Sequence, residues 1–212
     1  STDPEVVRTF ERALDELRAA GATIVDPVRV DLANARRPQG APCSSFRVEL
    51  AAYLASHANA PVRTLDSLVR SRRFHPSVET RLQAALQAPD TAMAPDSPAC
   101  AERAAYRDSV RAAVVRAMDT LRLDALAHPT WSNAPRLIGD LNTPHGDNNQ
   151  FFAPTTGFPA ITVPMGWLRD GTLPAGLQLL GRAWSERDLL AMAYAYERAT
   201  RVHGLAPEDL LF

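Results

Sequence analysis

The chain has 212 residues, 46% of them hydrophobic, with 23 basic and 24 acidic side chains and a net charge of −1. That is enough apolar material to bury a core in a single domain of ordinary size, and it excludes a disordered tail. A balanced charge provides no excess field to hold a nucleic acid or an anionic membrane, so neither is an expected partner.

All 23 basic residues are arginine and lysine does not occur, so this chain by itself cannot perform a step that needs a lysine amine. Cys43 and Cys100 lie far apart and form neither a metal-binding nor a redox spacing. A reduced, cytoplasmic setting is the default expectation, with one structural disulfide as the alternative. No run approaches the ~18 to 20 apolar residues of a membrane span, and the first residues lack a basic-then-apolar signal pattern, so the chain reads as soluble.

In chain order, Val6, Val7, Phe10, Leu14 and Leu17 recur at helical spacing, with Asp3 as a cap before Pro4 and Gly21 as a stop. Residues 22–26 form a short β-branched run ended by Pro27 and predict a strand, an α/β beginning. The polar, Pro- and Gly-containing stretch 29–42 predicts a surface connection. Phe46, Leu50, Tyr53 and Leu54 predict a second helix, and Leu65, Leu68 and Val69 a shorter third. Prolines 76, 89, 95 and 98 punctuate the next stretch, after which Tyr106, Val110, Ala113, Val114, Ala117, Met118 and Leu121 make a long helical stripe of core type.

Residues 124–129 predict a short strand closed by Pro129. From 130 to 156 no regular period holds, and an irregular stretch of that length inside a domain is usually functional. Residues 160–164 and 176–181 predict two strands, paired antiparallel through Asp170-Gly171. A last helix is expected to start at a Ser185/Asp188 capping box, to turn Leu189, Ala193 and Tyr196 inward and to stop at Gly204. No internal repeat is present.

There is no serine between glycines in a nucleophile-elbow pattern, no phosphate-cradling loop and no dinucleotide fingerprint. The five histidines include no pair at ligand spacing, so neither a metal nor another cofactor is expected, and His203 reads as a partner of a helix C-terminus. The irregular stretch offers a carboxylate and amides at Asp147, Asn148, Asn149 and Gln150 beside the apolar walls of Trp131, Phe151 and Phe152. That mixture suits a pocket for a polar small molecule. It equally suits a turn-rich loop whose Asx side chains bond their own backbone.

TTGFPAITVPMG at residues 155–166, LPAGLQLLGR at 173–182, SE at 185–186 and LAMAYAYERAT at 190–200 follow one another in an order that resembles the C-terminal region of the amidase signature enzymes. DPEVV at residues 3–7, GATIVD at 21–26, Phe46 through Leu54 and PVRTL at 61–65 extend the resemblance over nearly the whole chain. It implies an α/β fold, the C-terminal part of an α/β/α sandwich with a mixed sheet, read here as a single partial domain over residues 1–212 with 130–156 as a pocket-forming loop.

The resemblance further implies hydrolysis of a carboxamide through an acyl-serine, using a serine nucleophile, a second serine in a cis peptide and a lysine base. The family carries its serines in a Gly/Ser-rich signature in the N-terminal portion, in enzymes of about twice this length. This chain has no such signature, its only Ser-Ser is Ser44-Ser45, and it has no lysine. An unactivated serine needs a positioned base and oxyanion donors to attack an amide, so the chain alone is expected to be inactive and no catalytic residue is assigned to it.

In a glutamine-hydrolysing branch of the family, an acidic residue ten positions before the Gly of a Gly-x-Pro segment contacts the substrate's amino group. Counting from Gly157, that position is Asp147. The resemblance therefore implies substrate binding by Asp147, Asn148, Gln150, Trp131 and Phe151, no cofactor, the missing N-terminal portion and a small amide as partners, and self-association through faces that portion normally covers. Two other readings stand beside it: an inactive binding or scaffold module on the same fold, and a self-sufficient hydrolase built from Ser44, His145 and Asp147.

Overall fold

The computed structural model describes residues 2–38, 43, 45–88, 97–140 and 151–202. Helix α1, Pro4–Ala19, begins where the sequence places it, because the Asp3 carboxylate accepts the Glu5 N–H at 2.9 Å and Pro4 presets the first turn. Glu5 at its start and Arg18 at its end suit the helix dipole. It buries Val6, Thr9, Ala13 and Leu14 and stops before Gly21, whose φ is 98°.

Residues 22–26, expected as a strand, form none. Strand propensity needs a ladder to enter, and no described strand pairs with this segment, which ends in a cis Asp26–Pro27 peptide.

The chain divides into two compact units, residues 1–32 with 110–212, and residues 33–109. The second unit is helical. Both expected helices are present as α2, Phe46–Ala55, and α3, Leu65–Ser71, the latter closed by a reciprocal Thr64/Ser67 cap. A 3-10 turn, Pro76–Val78, then leads into α4, Glu79–Gln87. The prolines that obscured α4 in the sequence flank it: Pro76 opens the turn and Pro89 follows the last helical residues. Among the described residues of this unit, Leu65 is the one buried hydrophobic side chain. Cys43 and Cys100 are joined as a disulfide, the alternative to the reduced default, and Arg103 donates to the Cys43 carbonyl at 2.8 Å.

Helix α5, Pro98–Thr120, contains the long stripe and buries Val110, Ala113, Val114 and Met118 in the first unit. That unit is built on a three-stranded antiparallel sheet in the order β1-β3-β2, with β1 Leu126–Pro129, β2 Ala160–Leu168 and β3 Leu173–Leu180. The expected β2–β3 pairing is present. Arg169, Asp170 and Gly171 all adopt positive φ in the connection, which the Asp-Gly pair permits at small cost. Pro164 donates no ladder bond, and the register shifts by a bulge between Pro164 and Gly166.

One sheet face carries Val163, Met165, Leu177 and Leu179, which form a continuous core with Val6 and Ala13 of α1 and with Leu189, Ala193 and Tyr196 of α7, Glu186–Thr200. The expected Ser185 capping box does not form. Its hydroxyl instead donates to the Arg182 carbonyl at 2.8 Å, while Glu186 and Asp188 still complement the dipole. The helix ends at Thr200, with Arg201 left-handed, and Gly204 lies outside the described residues. The last part of the stretch expected to be irregular is helical: α6, Phe152–Thr156, ends on left-handed Gly157 and is tied to α5 by Arg111 Nε donating to the Thr156 carbonyl at 2.6 Å.

Candidate functional site

Strand β1 stops at Pro129, and the chain then leaves the sheet. A last rung holds the exit, Thr130 N–H donating to the Gly176 carbonyl at 2.7 Å. Two residues on, the Ser132 carbonyl accepts the Asp3 N–H at 2.8 Å, so the connection is pinned to the start of α1. Between these two anchors opens a cavity of about 600 Å³, bounded by Val6, by Trp131, Asn133 and Pro135, and by Thr162, Pro164, Pro174 and Gly176 of the sheet.

Gly176 is required here for space. A Cβ at this position would lie 2.8 Å from both Thr130 Oγ1 and Thr162 Cγ2, and the two threonine hydroxyls are 3.1 Å apart across it. Among the described residues, the lining contains no titratable side chain. The described lining offers dispersion contacts, two hydroxyls and one carboxamide, which suit binding and orienting an apolar group.

Charge lies beside the cavity. Arg169, at the end of β2, pairs with both Asp3 and Glu5 at the start of α1. The Glu5 N–H holds the Asp3 carboxyl below its ordinary range, with burial opposing and Arg169 adding to the effect, while the same pairing raises the guanidinium. Among the described residues, no three His, Cys, Asp or Glu side chains come together as metal ligands.

Of the residues expected to bind substrate, Trp131 lies on the cavity, 41% exposed. Phe151 is not among the lining residues and packs edge-on against Phe152, with ring centroids 5.1 Å apart. Asp147, Asn148 and Gln150 lie outside the described residues, as do Ser44 and His145. Thr130, Asn133 and Thr162 were not singled out from sequence. The strand pattern assigned Thr162 only a β-branched place in a run, and its alignment with Thr130 depends on sheet register, which spacing does not reveal.

Among proteins of known sequence, the chain is 34% identical over 105 residues to a glutamyl-tRNA(Gln) amidotransferase subunit of Symbiobacterium thermophilum, with the match covering 46% of this chain and 21% of that protein. Among solved structures it is similar to the peptide amidase of Stenotrophomonas maltophilia, at 31% identity and a TM-score of 0.68, over 92% of this chain and 40% of that one. An amidase family protein from Bacillus anthracis, at 17% identity, shares the fold with a TM-score of 0.68 over 98% of this chain and 38% of its own length. The chain thus spans about two fifths of the solved structures it matches and a smaller share of the curated relative. Helix α1 packed on an antiparallel sheet, the cavity at the end of β1, the strand motifs and the first turn of α7 all fall within residues 1–190, the region matched by the model of the family described as Amidase, and the chain belongs to that family.

Proposed function

We propose that this chain is the C-terminal portion of an amidase that cleaves a carboxamide to an acid and ammonia or an amine. In the whole enzyme a serine Oγ, relieved of its proton by a lysine-supported base, attacks the amide carbon. The nitrogen leaves with a proton, and water then releases the acid from the acyl-serine. The serine pair and the lysine belong to the N-terminal portion, and the present chain contributes strands and part of the substrate pocket. The observation that carries this reading is the family match over residues 1–190 in a chain that covers 40% of a peptide amidase and contains no lysine.

Trp131 and the apolar cavity beside it are assigned to the non-reacting part of the substrate, and Asp147, Asn148 and Gln150 to its polar contacts. The net charge of −1 favours a free small amide over a nucleic-acid-borne one. Purified alone, the chain should turn over no amide. Combined with the N-terminal portion of a peptide amidase, it should turn over some, and Trp131→Ala should then raise KM about tenfold with kcat within twofold. Activity of the chain alone would favour the Ser44, His145 and Asp147 hydrolase.

A second reading, a binding module without chemistry, is favoured by the absence of titratable groups among the described residues around the cavity. It predicts amide binding without turnover in any combination. Two cysteines in the chain fit a cytoplasmic protein, whereas their pairing is the ordinary state of an oxidising compartment. Blocking thiols at cell lysis decides between them: two labelled cysteines support the cytoplasm and none overturns it. No helix among the described residues is long and apolar enough to cross a membrane.

A further inference from the structure

Helix α7 turns Leu189, Ala193 and Tyr196 into the core, and its other side carries a separate pattern. Leu190 and Tyr194, about one turn apart, are 59% and 64% exposed. The dipeptide Glu-Arg occurs twice on this helix, at 186–187 and at 197–198. That separation is close to three turns of about 3.6 residues each, so the two glutamates stand in one row along the helix and the two arginines in another. At the same pitch Leu190 and Tyr194 fall between the rows. The outward surface of α7 is therefore an apolar ridge with an acidic edge, Glu186 and Glu197, and a basic edge, Arg187 and Arg198.

Arg198 lies over the Tyr194 ring, 5.9 Å from its centroid, which ties the basic edge to the ridge. Glu186, Arg187 and Arg198 are exposed and Glu197 is half-buried, and the ion pairs among the described residues engage none of the four. Single exposed apolar residues are ordinary, whereas an apolar ridge between ordered rows of opposite charge has the form of a contact surface. In a layered α/β/α fold, a helix whose inner side covers the sheet turns its outer side away from the other layers, so the rest of such a fold does not account for this stripe.

We propose that the stripe is a homodimer interface, on which α7 of a second copy lies face to face with and parallel to the first. Charge selects both the occupant and its direction. The stripe holds as many acidic as basic side chains, so it favours neither an acidic nor a basic partner, and what matches it is a surface with both edges in reversed order. A parallel second copy presents that surface. The acidic edge of each helix then meets the basic edge of the other, Glu186 against Arg187 and Glu197 against Arg198, on either side of Leu190 and Tyr194. An antiparallel copy would set acid against acid and base against base. A single pair of helices gives an interface at the small end of the specific range, so the ridge supplies the contact, the charges fix the orientation, and the dimer dissociates on dilution. The inference stands apart from the amide chemistry proposed above.

Sedimentation of the 212-residue chain over a concentration series should show a monomer-dimer equilibrium, and Tyr194→Ala should weaken it at least tenfold. Arg187→Glu with Arg198→Glu makes both edges acidic, and Glu186→Arg with Glu197→Arg makes both basic. Each double variant alone should dimerise at least tenfold more weakly than wild type, and an equimolar mixture of the two should recover the dimer. Exchanging all four charges tests direction, since that variant should dimerise with itself as wild type does but not with wild type. Mixed dimers of it with wild type, formed in preference to either homodimer, would overturn the parallel arrangement. A wild-type chain that stays monomeric throughout the series would overturn the proposal. A dimer that the double variants and Tyr194→Ala leave intact would also overturn it, because it would lie on another face, and so would a mixture that recovers no dimer. If the N-terminal portion of the Stenotrophomonas maltophilia peptide amidase displaced the dimer, and the double variants no longer bound that portion, the occupant would be the rest of the fold and not a second copy.

Discussion

Tyr196 is 1% exposed, and its hydroxyl donates to Glu16 Oε2 at 2.8 Å, so a phenol on α7 is held by a carboxylate on α1. Arg12, one turn before Glu16, donates to the Met165 carbonyl of β2 at 3.3 Å and completes a polar link between three elements. Burial first, and then the Glu16 carboxylate, raises the phenol above its ordinary value of 10.0. Because the folded value exceeds the unfolded one, the stability this proton contributes is complete below about pH 10 and is lost as pH rises beyond it. Tyr196→Phe should cost about 0.5 to 1.5 kcal/mol at neutral pH and flatten the alkaline fall, as measured by urea midpoints from pH 7 to 11. Gly166 makes a second point at this scale. Its φ is 144°, and a Cβ would enter the shell of Arg12 Nη2 and lie 3.0 Å from Thr9 Cγ2. Gly166→Ala should cost about 1 to 3 kcal/mol, and adding Arg12→Ala should recover only the contact part, leaving the backbone strain. In the sequence Gly166 merely closed the TTGFPAITVPMG motif, two residues past the expected strand, and neither its φ nor the approach of α1 could be read there.

Elements were legible where a local signal and its tertiary partner agree. Helix α1 shows Asp3, Pro4 and a three-to-four apolar repeat, and the side that repeat marks is the one buried against the sheet. Strands β2 and β3 were legible because β-branched and aliphatic runs flank an Asp-Gly reversal. Residues 22–26 show an equally good local pattern and form no strand, since pairing is a property of the neighbour and not of the segment. Helix α4 was hidden by prolines that in fact bound it. The Asp3 cap can be tested directly. Asp3→Ala removes the acceptor for Glu5 N–H and one carboxylate of the Arg169 pair, and should lower the unfolding midpoint by the equivalent of about 1 kcal/mol. Its carboxyl is held below the ordinary 3.8, so this contribution is present above pH 3.8 and disappears as pH falls through the folded value. Wild-type and Asp3→Ala stabilities should therefore converge in acid.

At the scale of the whole chain, the two compact units are stabilised by different means. The unit containing the sheet has a continuous hydrophobic core, whereas among the described residues of 33–109 only Leu65 is a buried hydrophobic. A unit with so little core needs another constraint, and the Cys43–Cys100 bridge, spanning a sequence separation of 57, supplies one. Closing a loop of that length removes about 4 kcal/mol of unfolded-chain entropy in the loop-closure model. Reduction should therefore open residues 46–88 while leaving the core of Met165, Leu177 and Tyr196 intact. Limited proteolysis with and without a thiol reductant measures this: oxidised protein should resist cleavage between α2 and α4, and reduced protein should be cut there at least tenfold faster. Cys43→Ser should behave like the reduced protein whether or not reductant is added. Equal cleavage of both forms would mean that the helices of this unit hold one another without the bridge.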